Sequence, residues 1–378
     1  MRVLLDATAV PADRGGVGRY VDEVVPRIVE AGVELAIVAQ QRDVELLRAL
    51  APTARLVAAP ALTGRRPVRL AWEQVGLPLL LRSWRPDVLH SPHYTMPALA
   101  GVPVAVTLHD ATFFSDPHLH LREKAVFFRA ATRVAVRRAA ALVVPSRATR
   151  DEVVRYTGAD PGAFVVAYHG VDHDRFHPVD ADEQARVRAT LDIGPRPYVA
   201  FLGTIEPRKN VPALVRGWVR ACAGLDDPPA LVLAGGKGWD TEVDAAVAAV
   251  PDGLVVRRPG YLPLEDLPGF LAGARVVAYP SLGEGFGLPV LEAMACGATV
   301  LTSRELSLPE VGGDAVAYCG TDDEAIAAEL GALLASDERR RVLGEAAVER
   351  ARQFTWEATA ERHVEAYRLA AGSGRAVG

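Results

Sequence analysis

Arg275-Val-Val-Ala-Tyr-Pro280, Ser281-Leu-Gly-Glu-Gly-Phe-Gly287, Leu288-Pro-Val-Leu-Glu-Ala-Met-Ala-Cys296, Gly297 and Ala298-Thr-Val-Leu-Thr302 follow one another without a break. The first six residues read as a buried strand. Pro289 stands where a helix accepts proline, in its first turn, because that N–H has no intrahelical partner in any case. Gly297 stands where a helix ends, because glycine takes the left-handed conformation at little cost. The unit is strand, glycine-rich loop, short helix, strand. It aims backbone N–H groups and a helix N-terminus at one point, which favours an anion. Glu284 lies in the loop, and Glu292 follows near the first turn of the helix. Carboxylates are poor phosphate ligands but good acceptors for hydroxyls. The stretch therefore suits a ligand with phosphate and several hydroxyls, a nucleotide sugar.

The remaining composition sets bounds. At 378 residues the chain has room for two domains, and half of its residues are hydrophobic. The net charge of −5 argues against nucleic acid as a partner. Residues 1–178 hold 22 Lys+Arg and 18 Asp+Glu, and the remainder 20 and 29, so a basic half precedes an acidic one. That split suits an acidic acceptor or a membrane surface on the N-terminal side, or is accidental. Cys222, Cys296 and Cys319 show no paired spacing, as expected in a reduced, cytoplasmic setting. The first residues read as a strand and not as a signal peptide. No apolar run approaches the roughly 20 residues that span a bilayer. Lys124, Lys209 and Lys237 are the only lysines, so each marks its position.

Strands and helices alternate along the chain, which predicts parallel sheets covered by helices on both faces. After the strand Arg2–Asp6, the loop Pro11–Arg19 carries Gly15-Gly-Val-Gly18, and a helix is expected over Tyr20–Ala31 with Pro26 inside it. This opens a Rossmann-like half without the dinucleotide spacing. The basic segment Gly64–Trp72 leads into a helix ending at Trp84. It suits either a membrane surface or the solvated face of a packed helix. The apolar strand Val104–Leu108 ends in His109-Asp110, at the strand end where such sheets bind ligands. Further strands are expected at Ala141–Pro145 and Val165–His169. Eight of the nine histidines lie between His90 and His177. His169, His173 and His177 are spaced as helical metal ligands but fall on a strand end and a turn, so no metal site is assigned.

The pattern then restarts. The strand Pro197–Leu202 runs into Gly203-Thr-Ile-Glu-Pro-Arg208-Lys209-Asn210 and a helix from Val211. Two adjacent cations before a helix start oppose its dipole, unless an anion lies between them. A guanidinium fork beside an ammonium suits a diphosphate. Ala230–Ala234 and Leu254–Arg257 read as strands, and their end loops, Gly235–Trp239 and Pro259-Gly260-Tyr261, frame a nucleoside. Helices follow over Thr321–Leu334 and Glu338–Gln353. A last helix begins near Thr355, and Ala370–Gly378 reads as a frayed tail.

Gly15-Gly-Val-Gly18, His109-Asp110, Pro145-Ser-Arg147, His169-Gly-Val-Asp172, Gly203-Thr-Ile-Glu-Pro-Arg-Lys-Asn210 and Glu284-Gly-Phe-Gly-Leu-Pro-Val-Leu-Glu292 together resemble the retaining glycosyltransferases of family 4 over essentially the whole chain. The last of these is similar to that family's Glu-x7-Glu motif. The resemblance implies an α/β fold of two Rossmann-like domains facing across a cleft, known as GT-B. It places the acceptor-side domain at 1–178 and the nucleotide-sugar domain at 179–354. Residues 355–378 then form a helix returning to the first domain, and the tail. It implies that Arg208 and Lys209 neutralise the donor diphosphate, helped by the backbone from Gly285 through Phe286 and Gly287 to Leu288. Glu292 would hold the ribose, Glu284 the transferred sugar. His109 would line the sugar pocket and Gly16 approach the phosphate. Gly203 and Tyr261 complete the donor-binding set.

The reaction so implied breaks the anomeric C–O bond with retention, by same-face attack, without a divalent metal and with no cofactor beyond the nucleotide-sugar substrate. His109-Asp-Ala-Thr-Phe-Phe114 looks like the family's mannosyltransferases, which makes GDP-mannose the expected donor and a UDP-sugar the alternative. The expected acceptor is a glycan or a lipid-linked one, met in the cytoplasm with peripheral contact to the inner membrane surface. Two other classes compete, a nucleotide-sugar epimerase and a non-catalytic nucleotide-sugar sensor. Neither calls for this combination of cations and Glu-x7-Glu.

Overall fold

The computed structural model describes residues 1–12 and 14–374. The chain divides into two compact units: residues 1–170 with the chain from Thr355, and Val171–Phe354. The expected boundary at 178 therefore moves back to Gly170. The reason is a contact made far along the chain. Val171 N and the His173 ring both reach Phe354 O, at 3.2 and 3.3 Å. The carboxylate of Asp172 accepts from the Asp174 amide at 3.1 Å and pairs with Arg175. Asp172-His-Asp174 is thus a turn held by its own aspartate.

The first unit is built on β1 (Arg2–Asp6), β2 (Glu34–Ala39), β3 (Arg55–Ala58), β4 (Val88–Ser91), β5 (Val104–Thr107), β6 (Ala141–Val144) and β7 (Phe164–Val166). They form one parallel sheet in the order β3-β2-β1-β4-β5-β6-β7. The second unit holds β8 (Tyr198–Leu202), β9 (Ala230–Ala234), β10 (Val256–Gly260), β11 (Val276–Tyr279), β12 (Val300–Ser303) and β13 (Ala317–Cys319), also parallel, in the order β10-β9-β8-β11-β12-β13. In each sheet the chain first builds outward on one side and then crosses to the other. The strand order therefore reverses at β1/β4 and at β8/β11, and such switch points open a crevice at the strands' C-terminal ends.

Four local expectations shift. The glycines Gly15 to Gly18 are not a loop but the first turn of a helix, Gly15–Glu30, which carries Pro26 without ending. The basic segment before Trp72 is likewise helical, Arg66–Trp84, with Pro67 in its first turn. Strand β10 begins at Val256 and not at Leu254, because the amide of Leu254 is held in a turn by Pro251 O. The last helix is Trp356–Gly372, started by the Thr355 hydroxyl, which accepts from the Ala358 amide. It runs three residues into the expected tail, to Gly372; residues 375–378 lie outside the described residues.

That last helix is fastened to the first unit by a fully buried polar chain. His363 Nδ1 lies 2.7 Å from Thr359 O, a carbonyl that can only accept. Nδ1 therefore carries the proton, and His363 Nε2 accepts from the Tyr20 hydroxyl at 2.6 Å. Tyr20 in turn accepts from Thr107 Oγ1 at 3.1 Å, Thr107 from His90 Nε2 at 2.9 Å, and His90 Nδ1 from the Tyr367 hydroxyl at 2.9 Å. Burial keeps both histidines neutral, and with them neutral one carbonyl sets the direction of every bond.

Burial and neighbouring histidines push His363 down to about 4 and His93 to about 3, and hold His90 and His169 well below the ordinary value. The unfolded chain takes up these protons below about pH 6.5 and the native chain does not, so stability falls as pH drops through that value. Asp6 acts in the opposite sense. Burial, and then Glu73, raise it to about 6, so below that pH the native state gains a proton first. Four histidines outweigh one carboxyl. The thermal unfolding midpoint is expected to drop by several degrees between pH 7.5 and 5.5. An unchanged midpoint over that window would show that the histidines are charged in the native state.

Candidate active site

The site of the second unit forms where the loops after β8 and β11 meet. Each is shaped by its own sequence. After β8 the chain makes a single turn, Pro207–Lys209, and Asn210 then takes a left-handed conformation, φ +58°, before the helix Val211–Ala221. Asparagine tolerates this better than most residues, and its side chain ties the turn to Thr321 O at 2.7 Å. After β11, Gly287 adopts φ +104° and starts the helix Leu288–Ala295. The two loops are laced together: Leu282 N donates to Arg208 O at 2.8 Å, and Arg208 Nη1 to Gly283 O at 2.6 Å.

Glu284 is the centre of this arrangement. It is buried, and one carboxylate oxygen accepts from Lys209 Nζ at 2.6 Å, Ser281 Oγ at 2.7 Å and the Tyr279 hydroxyl at 3.0 Å. The other oxygen meets Arg208 Nη1 at 2.5 Å. Arg208 also binds Glu206 through Nη2 at 2.7 Å, and Lys209 contacts Tyr279 as well. Burial by itself would raise the Glu284 carboxyl, but Arg208 and then Lys209 outweigh it and hold it at about 2. Burial lowers Lys209, with Arg208 adding to the effect. Tyr279 is held far above its ordinary value by burial and by Glu284, so its hydroxyl stays protonated and donates to the carboxylate. Two cations are therefore balanced by two carboxylates, Glu206 and Glu284.

The structure brings Arg208, Lys209 and Glu284 together as the sequence predicts, but it gives Glu284 a prior engagement. Its carboxylate is already bound to both cations. Gly285, Phe286, Gly287 and Leu288 form the loop and first residue of the following helix. Glu292 is buried at 3 % exposure, in the second turn of that helix and not the first. Sequence reading missed Tyr279, Ser281 and Ser307. The hydroxyl of Ser307 holds the loop through Glu284 O at 2.7 Å and Phe286 O at 2.9 Å. No motif flags these residues, because each acts through a contact made across the fold.

Beside the cluster, the loops after β8, β9 and β10 are stitched together by backbone bonds. Gly203 N reaches Ala234 O at 2.9 Å, Gly235 N reaches Gly260 O at 2.7 Å, and Ile205 N reaches Gly236 O at 2.9 Å. A Cβ at Gly235 would lie 2.2 Å from Gly203 O, so glycine is required there. These loops surround a cavity of 340 Å³ lined by Ile205, Leu233, Lys237, Arg258 and Gly260. Tyr261 is exposed, with its hydroxyl against Gly236.

His109 and Gly16 belong to the first unit. His109 Nε2 donates to Pro92 O at 2.7 Å, which leaves Nδ1 as an acceptor; burial lowers its proton affinity. Its ring packs edge-on against Tyr20 at 5.1 Å and lies 6.1 Å from His169. Gly16 is exposed, with open space around it. Among the described residues no group of three or more His, Cys, Asp or Glu is placed to hold a metal ion.

Residues 14–175 match the family model described as Glycosyltransferase Family 4, and residues 183–350 the model described as Glycosyl transferases group 1. The chain is 30 % identical over 306 residues to O-antigen chain mannosyltransferase B of Escherichia coli, covering 80 % of this chain and 78 % of that protein. It is 30 % identical over 396 residues to D-inositol 3-phosphate glycosyltransferase of Salinispora tropica, covering 94 % and 81 %. Among solved structures, Anabaena Alr3699/HepE in complex with UDP-glucose is similar with a TM-score of 0.78, at 17 % identity over 97 % of this chain and 98 % of that one. WaaG, a glycosyltransferase involved in lipopolysaccharide biosynthesis, is similar with a TM-score of 0.71, at 15 % identity over 97 % and 99 %. At these identities the likeness shows the fold, GT-B.

The cluster orders two substitutions by stability. Glu284→Ala leaves Arg208 and Lys209 facing each other in a buried site and is expected to cost about 3 kcal/mol. Lys209→Met leaves Glu284 bonded to Arg208, Tyr279 and Ser281 and is expected to cost less. Urea denaturation of both variants checks the order, and the reverse order would remove Glu284 as the centre of the cluster.

Proposed function

We propose that this chain, which belongs to glycosyltransferase family 4, moves a hexose from a nucleotide sugar to a glycan or lipid-linked acceptor, with mannose from GDP-mannose as the lead donor. The reading is carried by half-buried Arg208 and buried Lys209 at the switch point of the second sheet, balanced by Glu206 and Glu284. A diphosphate would bring its own negative charge to these cations. Glu284 would then be released toward the transferred sugar, where a carboxylate accepts hydroxyls. Arg208 and Lys209, with the backbone from Gly285 to Leu288, would stabilise the departing nucleoside diphosphate, where charge develops in the transition state. Buried Glu292 would take the ribose hydroxyls. The cavity beyond Gly203, with Tyr261 at Gly236, has the size and the polar rim for the nucleoside.

By resemblance His109 contacts the transferred sugar, and its unprotonated Nδ1 suits a hydroxyl donor. Gly16 is assigned to the phosphate on the same ground. Retention by same-face attack and freedom from a divalent metal are part of the proposal, because the two cations supply the positive charge that the leaving group needs. Mannose is favoured by the name of the Escherichia coli relative and by His109–Phe114. A UDP-sugar is the alternative donor; Anabaena Alr3699/HepE, similar in fold, was solved in complex with UDP-glucose. A cytoplasmic setting is proposed from the three free cysteines. No helix among the described residues is long and apolar enough to cross a membrane.

Ligands that bind only the native state raise its unfolding temperature. GDP and GDP-mannose are expected to raise the midpoint well above the effect of UDP, ADP and their common sugars. Selectivity for UDP would discard the mannose assignment, and no shift with any of them would discard the donor site. In a transfer assay, EDTA is expected to leave the rate largely intact. Loss of activity that a divalent cation restores would overturn the metal-free mechanism.

A further inference from the structure

The cavity beside the cluster carries charged groups to which the phosphate and sugar chemistry assigns no work. Lys237 is one of only three lysines in the chain. It lines the 340 Å³ cavity together with Arg258 of β10 and Asp244 of the short helix Val243–Ala248. The inner wall is apolar or bare backbone: Ile205 and Leu233, both buried, with Gly235 and Gly260. The three charged residues are exposed and form the rim. A flat aromatic ring suits such a wall, and its polar edge then meets the rim.

The fold fixes that rim. Gly238 turns the loop at φ +61°, and a Cβ there would lie 1.8 Å from Ile205 O. A Cβ at Gly236 would lie 2.6 Å from the Tyr261 hydroxyl. Ile205 N donates to Gly236 O at 2.9 Å and Trp239 N to Ile205 O at 3.1 Å, so Lys237 stands between two pinned points of its loop. Arg258 Nη1 donates to Asp244 Oδ1 at 2.5 Å, which ties the helix to β10. The hydrogen bond and charge of Arg258, with Lys237 adding to them, hold the Asp244 carboxyl below its ordinary value. It is therefore ionised at neutral pH. A carboxylate has about four lone-pair sites, and Arg258 takes one of them, so acceptors remain on both oxygens.

One carboxylate beside two cations distinguishes the bases. Guanine offers two adjacent donors, N1–H and the 2-amino group, next to the acceptor O6. The donors match the two oxygens of a carboxylate, and O6 matches an ammonium. Uracil presents a single N–H between two carbonyl oxygens, which a carboxylate repels. Adenine presents an unprotonated nitrogen beside its amino group, which a carboxylate also repels. We propose that Asp244 reads the N1–H and 2-amino edge of guanine, with Lys237 on O6, and so makes this cavity a selector for guanine nucleotides. The proposal rests on the donor-site reading and deepens it. Arg208 and Lys209 would hold the diphosphate whatever the base, and Asp244 would choose among bases.

The test is calorimetric titration of the full chain with GDP, inosine diphosphate, xanthosine diphosphate and UDP. Inosine diphosphate lacks only the 2-amino group, and xanthosine diphosphate carries an oxygen in its place. The wild type is expected to bind GDP at least about tenfold tighter than any of the other three. Asp244→Asn turns one acceptor into a donor. It is expected to weaken GDP at least about tenfold and to bind xanthosine diphosphate tighter than the wild type does. A merely structural role of the Asp244–Arg258 pair would weaken every ligand and strengthen none. Lys237→Met is expected to weaken GDP and inosine diphosphate by the same factor, since both carry O6. Both side chains are exposed, so the unfolding midpoint without nucleotide should stay at the wild-type value. A wild type that binds GDP no tighter than UDP or inosine diphosphate, or an Asp244→Asn variant with unchanged GDP affinity, would overturn the proposal. If the four ligands still bound and Lys209→Met abolished their binding, the donor site would stand without its base selector. Binding of none of them would remove both.

Discussion

A carboxylate buried between two cations is the constraint on which the second unit turns. Glu284 can be held out of water only because Arg208, Lys209, Tyr279 and Ser281 all point at it, and these come from two loops 70 residues or more apart in sequence. Removing Glu284 leaves both cations facing each other, which is expected to cost about 3 kcal/mol. The loops after β8 and β11 are therefore fixed relative to each other before a ligand arrives. The same charges that fix them are those a diphosphate would use. On the proposed reading, an incoming diphosphate would exchange one partner of the cations for another without first stripping them of water.

The first unit relies on a different device. Its buried polar groups are neutral and form a one-way chain from Thr359 O through His363, Tyr20, Thr107 and His90 to Tyr367. Such a chain tolerates burial only when every donor finds an acceptor, and here a single backbone carbonyl fixes the sense of all the bonds. It binds the C-terminal helix to strands laid down some 250 residues earlier in the chain. Each ring nitrogen along the chain is already committed to a hydroxyl or a carbonyl.

Most of the fold was legible because it rests on short-range patterns. Apolar runs such as Tyr198–Leu202, Ala230–Ala234 and Val276–Tyr279 bury both faces of parallel strands, and glycine and proline punctuate them. The misreadings occurred where a local signal was overruled by its neighbours. Gly15 to Gly18 look like a loop, but their backbone continues a helix whose start Arg14 holds by pairing with Asp22 and, at 2.7 Å, with Asp43. The boundary at Gly170 depends on Phe354 O, far along the chain, which no local pattern contains.

The sequence by itself determined the two alternating α/β halves, the cations Arg208 and Lys209, and the carboxylates Glu284 and Glu292, because residue type and spacing carry that information. Only the tertiary structure decided that Glu284 is bound to those cations, that Tyr279, Ser281 and Ser307 brace it, and that Lys237, Asp244 and Arg258 line one cavity. Those outcomes depend on which groups meet across loops and layers. A hydroxyl or an arginine has no fixed role until burial and its partners assign one.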